Sequence, residues 1–325
     1  MSVSVLIPVR GINHFVRESV LHLLSLQRSV IEVLVLPDTL AAGNGFGVLP
    51  TVMVVPTGEV GPAEKRDRGA QLARGDILAF LDDDAYPDMR WLEEALPHFA
   101  QDAVAAVGGP TVTPPHDSFL QQASGWALAT LLGSGAARMR YLPVGNTRDV
   151  DDWPSVNLLV RRSDFLAVGG FDCTYYPGED TKLCLDITTK LGKRIVYEPK
   201  AIVYHHRRSL LPGHFQQIGR YAVHRGYFAK VYPKTSLRLS YFLPTLFVLA
   251  LVVGACLSPL SRPLRAIYTG AVAVYAAALG ATGVSVGVRS RQPLLGLVAA
   301  LAVAATHVWY GLSFLRGLAT RELKR

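Results

Sequence analysis

The sequence predicts an α/β domain, a mostly parallel mixed sheet flanked by helices, followed by a C-terminal region of transmembrane helices. Three observations carry this. Short apolar runs alternate with amphipathic stretches over roughly the first 230 residues, the pattern of strands and crossover helices. One apolar run ends in three consecutive carboxylates, Asp82, Asp83 and Asp84. Beyond residue 240 come three long apolar stretches with almost no internal charge.

Taken in order, residues 2–9 alternate and reach Pro8, a strand that stops at a loop. Residues 14–27 place Phe15, Val20, Leu23, Leu24 and Leu26 at helical spacing. A second strand, 31–36, ends at Pro37-Asp38, and a loop containing Gly43, Gly45 and Gly47 leads to a third at 51–55. Gly61-Pro62 opens a helix running to about residue 74, with proline at a favourable first-turn position. Residues 77–81 are five consecutive apolar residues, which suits a strand covered on both faces. A helix at 88–99 and a strand at 103–107 follow, then a helix at 181–191 and a short strand at 202–204. In such a sheet ligands bind at the carboxyl ends of the strands. Pro8, Arg10, Asp38 and the aspartate triplet all fall there, and Lys65 and Arg66 lie early on the preceding helix, within reach of a diphosphate or else on a solvated face.

Three carboxylates at one strand exit repel each other unless a cation sits among them. Clustered oxygens suit a hard divalent ion, Mg2+ or Mn2+. Asp82 and Asp84 flank a spacer and can turn to one ion while Asp83 points away. The competing reading makes Asp83 or Asp84 the cap of a helix with Pro87 near its start, for which one carboxylate would suffice. No Walker loop and no glycine fingerprint follows the first strand, which argues against a P-loop ATPase or a dinucleotide-binding dehydrogenase.

The charged fraction of 18% is low and the mean hydropathy is +0.26 over 325 residues. The apolar stretches 241–258, 264–288 and 293–315 are each near the ~20 residues a membrane span needs. Small residues such as Gly270, Gly280, Ala299 and Ala304 crowd the last two, allowing close helix approach. His307 reads as a hydrogen bond to a neighbouring helix or a functional polar group, and Trp309 and Tyr310 as interfacial anchors. Lys230, Lys234, Arg238, Arg289 and Arg291 favour a catalytic domain on the cytoplasmic side of the inner (cytoplasmic) membrane. Three crossings then put Arg316, Arg321, Lys324 and Arg325 outside, against the same rule. The expected division is a domain at 1–232 that includes an interfacial helix at about 210–230, a membrane region at 239–317, and a basic tail at 318–325. The apolar segment 3–9 is too short for a signal peptide, and Cys173, Cys184 and Cys256 are scattered as in a reducing compartment. The net charge of +8 suits anionic lipid and nucleotide phosphates; no aromatic-studded basic stripe points to nucleic acid.

Over residues 3–230 the chain resembles the inverting family-two glycosyltransferases of the GT-A (Rossmann-like) fold. Four pieces match in order: Val5-Leu6-Ile7-Pro8-Val9, the strand ending at Asp38, the block from Arg66-Asp67-Arg68-Gly69 to Asp82-Asp83-Asp84, and Val168-Gly169-Gly170-Phe171-Asp172 followed by Gly178-Glu179-Asp180. Two departures stand out: the double aspartate after the second strand is Pro37-Asp38, and the family's asparagine after Arg66 is Asp67. Gln217-Ile218-Gly219-Arg220-Tyr221 resembles the Q-x-x-R-W motif of membrane polysaccharide synthases, with tyrosine for tryptophan. Gln217, Arg220 and Tyr221 share one helical face, which alternatively marks an amphipathic helix on a bilayer surface.

The resemblance implies transfer of a sugar, with inversion, from a nucleotide-sugar, a UDP-sugar, to a lipid-linked or saccharide acceptor in cell-envelope or surface-polysaccharide assembly. It implies Asp38 at the nucleobase, a D-x-D metal site at Asp82 and Asp84 completed by His205 or His206, and Asp180 or Glu179 as base. Lys65, Arg66 and Arg220 would assist electrostatically. Direct transfer to a polyprenyl phosphate is the alternative; processive synthesis fits poorly with three spans and a chain that starts at its first strand. A sugar nucleotidyltransferase or an inactive membrane scaffold are the readings from other classes, and Pro8-Val9-Arg10-Gly11 lacks the former's glycine-rich triphosphate loop.

Overall fold

The computed structural model describes residues 1–40, 46, 49–171 and 175–323. Gly43, Gly45, Gly47, Asp172, Cys173, Lys324 and Arg325 lie outside the described residues. In chain order the strands and α-helices are β1 (Val3–Pro8), α1 (His14–Leu24), β2 (Glu32–Leu36), β3 (Val52–Val54), α2 (Pro62–Leu72), β4 (Ile77–Leu81), β5 (Ala85–Pro87), α3 (Trp91–Ala95), β6 (Val104–Gly108) and β7 (Thr111–Val112). Then follow α4 (Phe119–Ala129), α5 (Leu131–Ser134), β8 (Arg148–Val150), β9 (Asn157–Arg161), α6 (Arg162–Ala167), α7 (Glu179–Lys190), β10 (Arg194–Tyr197) and β11 (Val203–His205). The C-terminal part comprises α8 (Phe215–Val231), α9 (Pro233–Ser236), α10 (Leu239–Leu257), α11 (Arg262–Ser290) and α12 (Pro293–Ala319).

The chain forms two compact units, one of residues 1–112 and 139–206, the other of residues 113–138 and 207–324. In the first, eight strands run in the order β3-β2-β1-β4-β9-β6-β10-β8, and β5-β11-β7 make a second, small sheet. β1 pairs in parallel with β2 and β4, whereas β9 is antiparallel to both β4 and β6, so the sheet is mixed as expected. Alternation explains its two covered faces. Val3, Val5, Ile7, Ile77, Ala79 and Leu81 face one core with Trp91 and Phe99; Leu6, Leu78 and Phe80 face the other with Phe165 and Phe171. Asn157, fully buried, accepts from Trp91 Nε1 at 2.9 Å and donates to Ala201 O at 2.8 Å, so it ties the antiparallel strand to α3 and to the loop before β11.

One expectation needs correction. No helix starts at residue 88 and runs to 99: β5 intervenes, α3 covers only Trp91–Ala95, and a 3-10 turn at Leu96–Ala100 follows because Pro97 cannot continue an α-helix. The capping reading of Asp83 and Asp84 falls with it, since the residue that accepts from the backbone ahead of α3 is Asp88, bonded by Arg90 N at 3.0 Å.

In the second unit α10, α11 and α12 are each long and apolar enough to cross a membrane. They meet where side chains are small. Gly283 faces Gly296, and Gly311 lies against the carbonyl of Pro244, which frees that interface for Thr245 Oγ1 to donate to Gly311 O at 3.0 Å. α8 packs on α12 in the same way, with Gly226 against the Phe314 carbonyl and Gly317 against that of Val223. The helix expected at 210–230 is α8 preceded by a π turn at Leu210–His214; it belongs to this unit, as do α4 and α5.

Candidate active site

β4 delivers the aspartates. It ends at Leu81, the chain turns with Ala85 N donating to Asp82 O at 3.2 Å, and β5 pairs antiparallel to β11 with Ala85 opposite His205. That pairing brings His205 beside the triplet across 121 residues of sequence. His205 Nε2 lies 3.0 Å from Asp84 Oδ1, and ligand atoms of Asp82, Asp84 and His205 all fall within 4.8 Å of one another. Two carboxylates and an imidazole are a donor set that fits Mn2+ or Mg2+. His206 is not part of it. Strand alternation turns it the other way, where its Nε2 bonds Glu18 Oε2 at 2.9 Å and its ring packs on Phe15. The histidine pair therefore resolves to His205.

Asp83 also points away from this set, as expected: its Oδ2 accepts from Asn13 Nδ2 at 3.3 Å, and Asn13 Oδ1 caps α1 by accepting from Val16 N. Burial, then the charges of Asp84 and Asp82, push the Asp83 carboxyl up to about 6.

α2 supplies two buried cations. Gly69 lets it lie directly on the leucines of β1 and β2, where a Cβ would come within 2.8 Å of Leu36 and Leu6. Arg66 bridges Asp82 Oδ1 at 2.6 Å and Glu179 Oε1 at 3.3 Å, beneath the Phe171 ring. Burial opposes its charge, but Asp82 and Glu179 more than restore it, so its pKa lies above the ordinary value. Its Nε has no hydrogen-bond partner among the described residues. Lys65 is spent differently from its neighbour. Its Nζ faces four acceptors, Asp38 Oδ1 at 2.5 Å, Thr57 Oγ1 at 2.9 Å, Leu36 O at 3.2 Å and Gly58 O at 3.3 Å, which leaves it no spare proton and fixes Asp38 beyond the end of β2. Lys65 thus sits at the Asp38 end of the cleft. The exposed Arg10 joins the same end through its carbonyl, which accepts from Asp38 N at 3.0 Å after Pro8 has closed β1.

Glu179 and Asp180 form the first turn of α7, where the helix dipole favours carboxylates. Gly178 before them has φ +124°, a conformation that favours glycine. Asp180 Oδ1 accepts from Thr181 N at 2.7 Å, while Glu179 is buried. Burial and the Asp180 charge push the Glu179 carboxyl up to about 7, against the pull of Arg66. So the buried member is held by Arg66, and Asp180 is half-buried. Thr181 Oγ1 donates to buried Asp152 at 3.1 Å, and Arg140 holds Asp152 at 3.2 Å. This support of α7 was not foreseen; the Asp151-Asp152-Trp153 run carries no signal that distinguishes it from an ordinary acidic turn.

The departure at Asp67 is accommodated. Its Oδ1 accepts from Phe171 N at 2.9 Å and abuts Gly170, which sits at φ +73°, and these bonds need only an acceptor oxygen. Gln217, Arg220 and Tyr221 lie on one face of α8 in the second unit, with Gln217 Nε2 donating to the Tyr221 hydroxyl at 3.1 Å.

Residues 4–153 match the family model described as glycosyl transferase family 2. The chain is 36% identical over 151 residues to a pre-mycofactocin glycosyltransferase of Mycobacterium tuberculosis, a stretch that is 46% of this chain and 31% of that protein. It is 25% identical over 156 residues to a glucosyl-dolichyl phosphate glucuronosyltransferase of Haloferax volcanii, covering 45% and 47%. The match therefore spans a third to a half of the curated relatives' length. Among solved structures, a mannosyltransferase from Pyrobaculum calidifontis in complex with GDP-mannose and Mn2+ superimposes with TM-score 0.52 at 21% identity, over 94% of this chain and 87% of that one. Residues 4–153 thus match the model of the family-two glycosyltransferases, and the chain shares the GT-A fold of the mannosyltransferase and has three helices apolar and long enough to cross a membrane.

Proposed function

We propose that the protein is a membrane-bound glycosyltransferase that moves a sugar, with inversion, from a nucleotide-sugar, a UDP-sugar, to a lipid-linked or saccharide acceptor in cell-envelope assembly. The observation that carries the reading is the convergence of Asp82, Asp84 and His205 beside Arg66 and the Glu179–Asp180 pair, all in one unit. Asp82, Asp84 and His205 would hold the divalent ion, which supplies charge neutralisation for a departing diphosphate. Lys65 fixes Asp38 for the nucleobase. Arg66 keeps Asp82 and Glu179 in place and cancels part of their charge. Asp180 takes the proton of the acceptor hydroxyl as that oxygen attacks the anomeric carbon from the face opposite the leaving group. The Gln217–Arg220–Tyr221 face of α8 is assigned to the diphosphate and acceptor.

A lipid-linked saccharide acceptor draws support from the relative named for glucosyl-dolichyl phosphate, and direct transfer to a polyprenyl phosphate is the second reading. A phosphate acceptor is already ionised and needs no base, so the two readings part at Asp180. The test is nucleotide release from UDP-sugars with Mn2+ and a membrane extract. Release that depends on acceptor supports transfer; pyrophosphate exchange would indicate a nucleotidyltransferase, and no release with any nucleotide-sugar a scaffold.

A further inference from the structure

His307 stands one residue from the middle of α12, Tyr275 one residue from the middle of α11, and Phe247 one residue from the middle of α10. The three meet: the Tyr275 hydroxyl is 2.9 Å from His307 Nδ1, and the Phe247 ring packs on both Tyr275 and His307. This knot is therefore the midpoint of all three apolar helices. The other nitrogen of His307 donates to Leu132 O at 3.0 Å. Leu132 belongs to α5, an element that in sequence lies inside the glycosyltransferase half of the chain, yet in space belongs to the helical unit.

We propose that the α4–α5 elbow is a re-entrant element that dips from the membrane surface to about the middle of the bilayer. The reading rests on α10, α11 and α12 spanning a membrane. At 1.5 Å per residue, a point midway along α11 or α12 is about 20 Å from either end. A backbone carbonyl bonded there sits at hydrocarbon depth. The composition agrees: between Asp117 and Arg138 the chain has no charged residue, a run of 20 that before the apolar C-terminal stretches only residues 39–58 equal. Leu131, at the tip, is 63% exposed in the protein, so its natural neighbour is an acyl chain. Non-helical backbone is tolerated at that depth only where its polar groups are satisfied within the protein. The tip meets that condition, with Thr130 capping Gly133 N at 3.1 Å and Leu132 O held by His307. At the same level, Ser124 and Thr306 take the two ring nitrogens of buried His214, each at 2.9 Å, pinning α4 to α12 at the residue next to His307.

The experiment is site-directed spin labelling of the full-length protein in nanodiscs, with Cys173, Cys184 and Cys256 replaced by Ser. Labels at Leu131→Cys and, independently, Ala136→Cys are compared with Val274→Cys on α11 and Leu166→Cys on α6. The expected result is that the Leu131 label relaxes with oxygen and is shielded from the nickel chelate at least fivefold relative to the Leu166 label, matching Val274. Chelate access at both elbow positions equal to that at Leu166, with Val274 shielded, would overturn the re-entrant element. Access at Val274 as well would overturn the spanning helices themselves.

Discussion

The two units handle buried polarity in opposite ways. Before Arg207 the chain holds 24 carboxylates against 18 Lys and Arg; from Arg207 onward it holds one carboxylate against 15. The sheet unit gathers its excess acid into one cleft and steadies it with two buried cations, Lys65 and Arg66. The helical unit buries no charge pair at its centre: His214, Ser124, Thr306, Tyr275 and His307 satisfy one another as hydroxyls, imidazoles and backbone carbonyls. On the function proposed above, charge in the first unit is there for a ligand to neutralise. The hydroxyls and imidazoles buried among the helices of the second are spent on holding those helices together, as a medium without water demands.

The sharpest way to break that contrast is to remove the acid cluster. Asp82→Ala with Asp84→Ala should cut turnover by about 10^4-fold, since a metal contributes several kcal/mol of charge stabilisation. Asp82→Ala takes one partner from buried Arg66, which keeps Glu179, so the fold should persist at reduced stability. Acceptor-dependent nucleotide release, Mn2+ binding by electron paramagnetic resonance and circular dichroism check this; full turnover, or indifference to EDTA, would end the metal reading. Next in size is Asp180→Asn, with a loss of about 10^3-fold for a hydroxyl acceptor. Undiminished turnover would point to an acceptor that arrives already ionised.

Arg66→Met tests whether the buried cation is structural as well as electrostatic. It leaves Asp82 and Glu179 facing each other unpaired, which should cost about 3–5 kcal/mol of stability. A carboxyl whose folded pKa stands above its unfolded value destabilises as pH rises past it. Glu179, already up at about 7, should rise further without Arg66. The deficit, read as a thermal shift in detergent, should therefore be larger at pH 8 than at pH 6.

What was legible in the sequence follows the same divide. The strands of the sheet unit were readable because burial on both faces leaves unbroken apolar runs, and β4 falls at residues 77–81 as expected. The aspartate triplet was readable because like charges in sequence need a reason. His205 over His206 was not, since only the β5–β11 pairing, formed across 118 residues from Ala85 to Val203, decides which ring faces Asp84. The three apolar helices announced themselves by length. The elbow at α4–α5 did not, because 11 and 4 residues are too short for a span and their amphipathic pattern is that of any packed helix. Its one signal is the absence of charge from 118 to 137.

The smallest expected effect tests a place where the chain departs from the family pattern. Asp67 stands where an asparagine was expected, and its Oδ1 accepts from Phe171 N beside the constrained Gly170. Asparagine offers the same oxygen in the same geometry. Asp67→Asn should therefore shift stability by less than about 0.5 kcal/mol, the range of a substitution that breaks no contact. Asp67→Ala leaves a backbone N–H without its partner and should cost about 1–3 kcal/mol. Because Phe171 roofs Arg66, the alanine variant should also weaken the grip on Asp82 and Glu179, visible as a lower kcat with KM little changed. Equal effects of asparagine and alanine would mean that the negative charge at residue 67, and not its acceptor oxygen, is what the loop requires.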